Sequence, residues 1–216
     1  ITDTPSLVIT GAPAATVFDC SRRLGHTNGA AFNISNSTVT FADIAFQSCS
    51  NMGGNGGAVS AVDSSVTVSH CVFVNCSAAN GGAVSATGGS GGEFLNVHNS
   101  NFTRNSAVGG LIACPNESGS SQPCSTWGGS IAAFEVRNVT VTGCTMAQSS
   151  AAGAVPVESA QRSLSRNAVA GGGCVSVLFR GNSSGSAVQV SGNSFRQCAV
   201  HVSSASNALV GNGKQA

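Results

Sequence analysis

Residues 56–85 read GGAVSAVDSSVTVSHCVFVNCSAANGGAVS, and the repeat within this stretch predicts the architecture of the rest of the chain. The phrase GGAVSA stands at 56–61 and returns at 81–86. Between the two copies, apolar and polar residues alternate around Val66 and Val68, which predicts a strand with one buried face. A unit this short cannot bury a core of its own, so each copy must stack on the next.

A large apolar residue marks the same place in successive copies of the unit. These anchors are Phe46, Phe73, Phe102, Met146 and Phe195. An alternating run precedes each anchor, and a glycine pair, which supplies a tight corner, follows the first three. We therefore predict an all-β chain, a right-handed parallel β-helix of about six to eight coils stacked roughly 4.8 Å apart.

Two short motifs resemble those of a known family. GGAV recurs at 56–59 and 81–84, and FTRN stands at 102–105. These phrases resemble the GGA[ILV] and FxxN repeats of polymorphic outer membrane proteins, although FxxN is often FxxC in this chain. The resemblance covers residues 39–113 well and 130–210 loosely. It implies a pectin-lyase-like β-helix and a surface-exposed, autotransporter-like adhesin.

The chain reads as a single β-helix domain over 1–216. Residues 1–38 are interpreted as irregular first coils, 39–113 as regular repeats and 131–210 as degenerate repeats. Two insertions, at 114–130 and 156–170, break the period and are expected to protrude as loops, the second with a short helix. The start at Ile1 reads as an interior one, which favours a processed chain or a segment of a larger extracellular protein.

Composition argues against two classes of partner. Hydrophobic residues make up 41% of the chain, charged residues only 8%, and the net charge is +1. The arginines are scattered, whereas nucleic-acid binding needs a clustered basic face. No run of 18 apolar residues exists, so we expect no direct membrane insertion.

Catalytic and metal-binding patterns are weak in this sequence. Its eight acidic residues are well separated, whereas polysaccharide lyases and hydrolases of this fold need clustered carboxylates. Stacking would place Asp43, His70 and Asn99 in one file, either as an acid–base pair or as a solvated ladder of turns. We expect no catalytic site, no metal and no cofactor.

The chain contains nine cysteines, whose spacing bears on disulfide pairing. They stand at positions 20, 49, 71, 76, 114, 124, 144, 174 and 198. Cys114 and Cys124 bracket the first insertion, which predicts a disulfide that closes it. Cys49 and Cys76 fall one coil apart, within reach of a disulfide; the alternative is a pair of buried thiols. The odd count leaves at least one thiol free or paired outside this segment.

Seven N-x-[ST] sequons and the many cysteines favour a secreted protein, extracellular or on a cell surface. The sequon asparagines are Asn33, Asn36, Asn75, Asn101, Asn116, Asn138 and Asn182. We expect glycans on some of them, with an unmodified asparagine ladder as the alternative.

Three functions fit this sequence. The first is a non-catalytic structural or adhesive module whose partners are extracellular or cell-surface proteins, glycans and further β-helix segments. The second is a carbohydrate-active or carbohydrate-binding domain in which Trp127 stacks on a sugar beside the loop at 114–130. The third is a subunit that stacks end to end into an extracellular filament.

Overall fold

A computed structural model gives the structure of the protein. It describes residues 1–12, 16–22, 30–89, 92–109, 126–154, 170–178 and 187–203. The predicted disulfide Cys114–Cys124 and residues 156–169 of the second insertion, with its predicted helix, lie outside the described residues; Ala170, predicted as the end of that insertion, instead begins the strand Ala170–Gly171. The sequons at Asn116 and Asn182 also lie outside the described residues.

The described residues form 24 short strands, numbered along the chain, and one 3₁₀ turn at Cys20–Arg22. The first two coils contain β1 (Leu7–Thr10), β2 (Val17–Asp19), β3 (Phe32–Ser35), β4 (Thr38–Ala42), β5 (Ala45–Gln47), β6 (Ser50–Asn55) and β7 (Val59–Val62). The next two contain β8 (Ser65–Ser69), β9 (Val72–Val74), β10 (Ser77–Asn80), β11 (Val84–Thr87), β12 (Phe94–His98), β13 (Asn101–Thr103), β14 (Ser106–Gly109), β15 (Thr126–Trp127) and β16 (Ile131–Phe134). The last two contain β17 (Asn138–Thr142), β18 (Thr145–Ala147), β19 (Ser150–Ala154), β20 (Ala170–Gly171), β21 (Val175–Leu178), β22 (Ala187–Ser191), β23 (Ser194–Arg196) and β24 (Ala199–Ser203).

These strands pair in parallel into four long sheets. Sheet 1 runs β1-β4-β8-β12-β17-β22 and sheet 2 runs β2-β5-β9-β13-β18-β23. Sheet 3 runs β6-β10-β14-β19-β24, sheet 4 runs β3-β7-β11-β16-β21, and β15 pairs separately with β20. Each strand therefore pairs with its counterparts in the coils before and after it, and six coils are formed. The predicted parallel β-helix is confirmed.

The predicted anchors form one file inside the coil. Phe46 pairs with Phe73, Phe73 with Phe102, Phe102 with Met146, and Met146 with Phe195. The rings of Phe46 and Phe73 stack at 4.9 Å between centroids, and those of Phe73 and Phe102 at 4.7 Å, both nearly parallel. The first four anchors are fully buried. The anchors thus mark the inward side of sheet 2, and the alternating runs that precede them, such as Val66 and Val68 on β8, mark the inward side of sheet 1.

A residue with left-handed backbone turns the chain at most of the described corners. Between sheets 1 and 2 the residues with positive φ are Asp43, His70, Asn99, Gly143 and Gly192. Between sheets 2 and 3 they are Ser48, Asn75, Arg104, Gln148 and Gln197. The corner after sheet 3 uses only glycine among the described residues, and at Gly81 a Cβ would collide with the Val84 carbonyl oxygen.

The first insertion ends earlier than the sequence indicated. Residues 126–130, predicted as the end of a protruding loop, lie within the regular coil. Thr126 and Trp127 form β15, and Gly128 turns the chain into β16 with a φ of 63°. These last residues of the predicted loop thus supply a strand and a glycine corner, as Gly56, Gly81 and Gly172 do in other coils.

The inward-facing apolar side chains are partly exposed at the two terminal coils. At the far end, Val188, Val190 and Phe195 occupy inward positions yet are 47%, 44% and 47% exposed. At the near end, Phe18 stacks on Phe46 and is 37% exposed. Apolar files of this kind are buried only where another coil covers them.

Candidate functional site

The residue that follows the left-handed corner between sheets 2 and 3 points into the coil. We call this set the corner file; its members are Cys49, Cys76, Asn105, Ser149 and Cys198. The first four are almost fully buried. Each lies three residues after an anchor, so the file is the structural form of the FxxN and FxxC motifs.

Asn105 explains why an amide suits this position. Its Oδ1 accepts the backbone N–H of Cys76 at 2.9 Å, and its Nδ2 donates to the Phe73 carbonyl at 3.2 Å. The corner bends the chain out of the sheet ladder, so these backbone groups of the coil below need side-chain partners. A buried N–H left without a partner would cost about 1–3 kcal/mol.

Cysteine fills the same position as a weaker donor. Cys76 Sγ lies 3.9 Å from the Phe46 carbonyl oxygen and 3.7 Å from that of Val74. The first of these contacts is the counterpart, one coil earlier, of the bond from Asn105 to Phe73. Burial raises the pKa of the Cys76 thiol to about 11, so almost all of this thiol is protonated at neutral pH.

The corner between sheets 1 and 2 uses the same chemistry. Ser100 Oγ accepts the N–H of Cys71 at 3.1 Å, and Asn193 Oδ1 accepts the N–H of Cys144 at 2.8 Å. Asn193 also donates to the Val141 carbonyl at 2.8 Å, as Asn105 does to Phe73. Burial raises the pKa of the Cys71 and Cys144 thiols as well. These cysteines are therefore small buried side chains that hold corners.

Two disulfides join neighbouring coils among the described residues. They are Cys20–Cys49 and Cys174–Cys198, with Cα–Cα distances of 4.7 and 5.3 Å. The predicted Cys49–Cys76 disulfide is wrong, because Cys49 bonds to the coil before it and Cys76 is a buried free thiol. The prediction correctly placed Cys49 and Cys76 in adjacent coils but did not place Cys20 next to Cys49 in the coil on its other side.

The second disulfide has a polar counterpart one coil earlier. Ser130 and Ser149 occupy the positions that Cys174 and Cys198 take in the next coil, and their hydroxyls are 2.8 Å apart. The sequence signal was therefore present: Cys174 follows a glycine corner as Ser130 does. It could be used only once the register across the second insertion was known.

All five sequon asparagines within the described residues are exposed: Asn33, Asn36, Asn75, Asn101 and Asn138. Three of them lie on strands, where the hydroxyl residue two positions later faces the same outward side. At β13, Thr103 Oγ1 is 3.4 Å from Asn101 Oδ1. Asn36 and Asn75 instead occupy left-handed corners, with φ of 47° and 54°.

The predicted Asp43–His70–Asn99 file exists, and its members hold corners through their backbones. The Asp43 N–H donates to the Ser69 carbonyl at 3.1 Å, and the His70 N–H donates to the His98 carbonyl at 3.1 Å. Across the part of the chain that the structure describes, no three His, Cys, Asp or Glu side chains are grouped to hold a metal ion.

Trp127 is half-buried and its backbone is fixed by the stack. The backbone N–H of Trp127 donates to Asn80 Oδ1 at 3.0 Å, and its backbone carbonyl accepts the Gly81 N–H at 2.9 Å. Asn80 in turn donates to Asn55 Oδ1 at 2.9 Å. The indole thus stands on a fixed strand where the first insertion rejoins the coil, instead of on the loop itself.

Comparisons with protein-family models, curated proteins and solved structures found no match. The resemblance to polymorphic outer membrane proteins therefore stays a prediction that depends on the repeat motifs. Among the described residues, no helix has the length and apolar character needed to cross a membrane. The two disulfides fit an oxidising environment.

Proposed function

We propose that this chain is a non-catalytic, glycosylated extracellular module with a structural or adhesive role. The observation that carries the proposal is the exposure of all five described sequon asparagines on a stack whose inward side chains hold the corners. Glycans on these asparagines would leave the core undisturbed. The outer surface would then display sugar and hydroxyl groups at a spacing set by the coils.

Three features support an extracellular setting and a scaffold role. Two disulfides tie coils together, which suits an oxidising compartment. The Asn105 side chain, which stacking brings next to the preceding coil, bonds to the backbone N–H of Cys76 and the carbonyl of Phe73 and so stabilises the shape of the stack. A parallel stack in which each coil contacts its neighbours is a rigid spacer on which partners can bind.

The test begins with protein secreted from a eukaryotic culture. Treatment with an amidase that removes N-linked glycans should lower the intact mass. The variant Asn101→Gln should lose one glycan, whereas the matched variant Asn96→Gln, also on an outward strand position but outside a sequon, should not. An unchanged mass after deglycosylation would contradict the glycosylated module.

The adhesive role and the absence of catalysis need a second measurement. Beads coated with the secreted protein should bind to cells or matrix glycans, and the protein should release no new reducing ends from polyuronides. New reducing ends or an unsaturated product would replace the scaffold with a polysaccharide-cleaving enzyme.

Carbohydrate binding without cleavage is the second candidate, and the placement of Trp127 favours it. A partly exposed indole on a fixed strand is a stacking platform that loses little conformational freedom when a sugar binds. Trp127 is the only tryptophan in the chain, so its fluorescence reports on this position alone. Oligosaccharides that bind here should shift the emission, and Trp127→Ala should abolish binding on a glycan array. Binding that survives Trp127→Ala would exclude this site.

A further inference from the structure

Three cysteines stand in consecutive coils at one corner. Cys20 and Cys49 are bonded, with their Cα atoms 4.7 Å apart. Cys76 follows Cys49 by one coil, because Phe46 pairs with Phe73 and Ser50 pairs with Ser77. The Ser77 N–H also donates to the Cys49 carbonyl at 2.9 Å. A one-coil separation of about 4.8 Å lies within the roughly 4.4–6.8 Å that a disulfide spans.

The three sulfurs differ in burial. Cys49 and Cys76 are fully buried, whereas Cys20 lies half-buried in the first coil, where the interior file opens. Cys76 Sγ is directed towards the coil of Cys49, since it lies 3.9 Å from the Phe46 carbonyl oxygen. The other two described free thiols, Cys71 and Cys144, belong to the neighbouring corner.

We propose that Cys76 is the resolving thiol of the Cys20–Cys49 disulfide, so that the bond can move one coil inward and release Cys20 as an accessible thiol. The Cys76 thiolate attacks Cys49 Sγ; the Cys49–Cys76 bond forms and the Cys20–Cys49 bond breaks. Cys20 leaves as a thiolate and takes up a proton in place of the one that Cys76 lost. The exchange conserves one disulfide and one thiol, so it needs no oxidant or reductant.

The exchange has consequences for the first coil. The native bond ties the 3₁₀ turn after β2 to the second coil, and the alternative bond lies wholly within the regular stack. The first coil then depends on its strand pairing and on contacts such as the stacking of Phe18 on Phe46, and it carries a half-buried free thiol at Cys20. The high pKa of Cys76, caused by burial, keeps the thiolate scarce and makes the exchange slow in the closed stack.

The arginines of the chain allow the bond to be followed by mass. No arginine or lysine lies between Arg23 and Arg104, so trypsin places Cys49, Cys71 and Cys76 on one peptide and Cys20 on another. The folded protein is incubated in thiol-free buffer at mildly alkaline pH, quenched with acid, alkylated with a maleimide and digested. The native bond links the two peptides, whereas the exchanged bond releases the peptide ending at Arg22 or Arg23 with one alkyl group.

The expected result is time-dependent release of that peptide from the wild-type chain at a rate independent of protein concentration. Cys76→Ser should abolish release, since serine fills the same file at Ser149 but cannot attack a disulfide. Cys71→Ser, which removes a buried thiol at the other corner, should leave the rate unchanged. Equal release from Cys76→Ser, or no release from the wild type, would overturn the proposal.

A second variant tests whether Cys49 and Cys76 can form a disulfide in the folded chain, whatever the rate of exchange. In Cys20→Ser, made in an oxidising compartment, Cys49 should pair with Cys76, so the tryptic peptide that carries both should take up one alkyl group, on Cys71. A folded Cys20→Ser protein in which Cys49 and Cys76 are both alkylated would also overturn the proposal.

Discussion

The anchor file and the corner file lie three residues apart in the second to sixth coils, yet they are built differently. The anchor file is nearly uniform, with phenylalanine in four coils and methionine in one among β5, β9, β13, β18 and β23. The corner file mixes cysteine, asparagine and serine. The anchors lie under a continuous ladder that satisfies its own backbone, so they contribute apolar area and ring stacking. The corner residues lie where the ladder bends and must supply a polar partner or a small sulfur.

This difference explains which part of the repeat motif is variable. Any large apolar side chain extends the anchor file, provided that it packs against the rings before and after it. The corner position accepts side chains that share a small volume and a donor, which Asn105, Ser149 and Cys76 all offer. FxxN and FxxC are thus two solutions to one backbone problem, with the amide the stronger.

Replacing the central ring should have the largest effect. Phe73 is fully buried between Phe46 and Phe102, so Phe73→Ala should lower the free energy of unfolding by about 3–5 kcal/mol. Phe94→Ala is the matched control, because Phe94 occupies an outward, partly exposed position on β12 and should cost about 1 kcal/mol or less. Urea denaturation measures both. Equal losses would contradict the assignment of the anchor file as the core.

The corner file should respond to alkaline pH in a way that the anchor file does not. Well below pH 9.0 the Cys76 thiol is protonated in both the folded and unfolded chain, so its ionisation makes no difference to stability. As the pH rises from 9.0 to about 11, the unfolded chain releases this proton while burial keeps the folded pKa high. The free energy of unfolding should therefore fall by about 2–3 kcal/mol over that window.

Cys76→Ser removes the group that causes this loss, so its urea midpoint should fall less between pH 9.0 and about 11 than that of the wild type. The residual dependence includes contributions from Cys71 and Cys144, whose pKa values are also raised by burial. A variant with an unchanged alkaline loss would show that Cys76 ionises as freely in the folded chain as in the unfolded one.

Removing the amide of Asn105 should separate hydrogen bonding from packing. Asn105→Leu keeps the side-chain branching at Cγ but leaves the Cys76 N–H without its acceptor, which should cost about 1–3 kcal/mol in addition to any strain from the larger methyl groups. Asn105→Ser is the matched variant, since Ser100 accepts the equivalent N–H at the neighbouring corner and serine should do so here. The serine variant should be the more stable of the two in urea. A more stable leucine variant would mean that volume, not the hydrogen bond, decides this position.

The sequence predicted which apolar residues align from coil to coil better than it predicted which cysteines form disulfides. Anchor spacing and period-2 alternation were enough to align Phe46, Phe73 and Phe102, because burial on one side of a strand leaves a direct trace in the sequence. The pairing of Cys49 was wrong because two neighbours, Cys20 and Cys76, fit the same geometry, and period alone does not choose between them. Cys174–Cys198 was missed since an insertion hid the register of Cys174. The role of Trp127 as a strand residue was missed for the same reason.

The smallest effect expected is a gain, at the left-handed position just before the corner file. Gln148 has a φ of 54° and an exposed side chain, so its backbone strain is not offset by packing. Gln148→Gly should raise the free energy of unfolding by about 1 kcal/mol at most, because glycine adopts this conformation without a clash at Cβ. Thr145→Gly is the control: Thr145 is also exposed but lies in β18, where glycine only weakens the strand and should lower stability. Opposite signs for the two variants in parallel urea titrations would separate the corner from the strand, and a loss at both positions would mean that the corner is not strained.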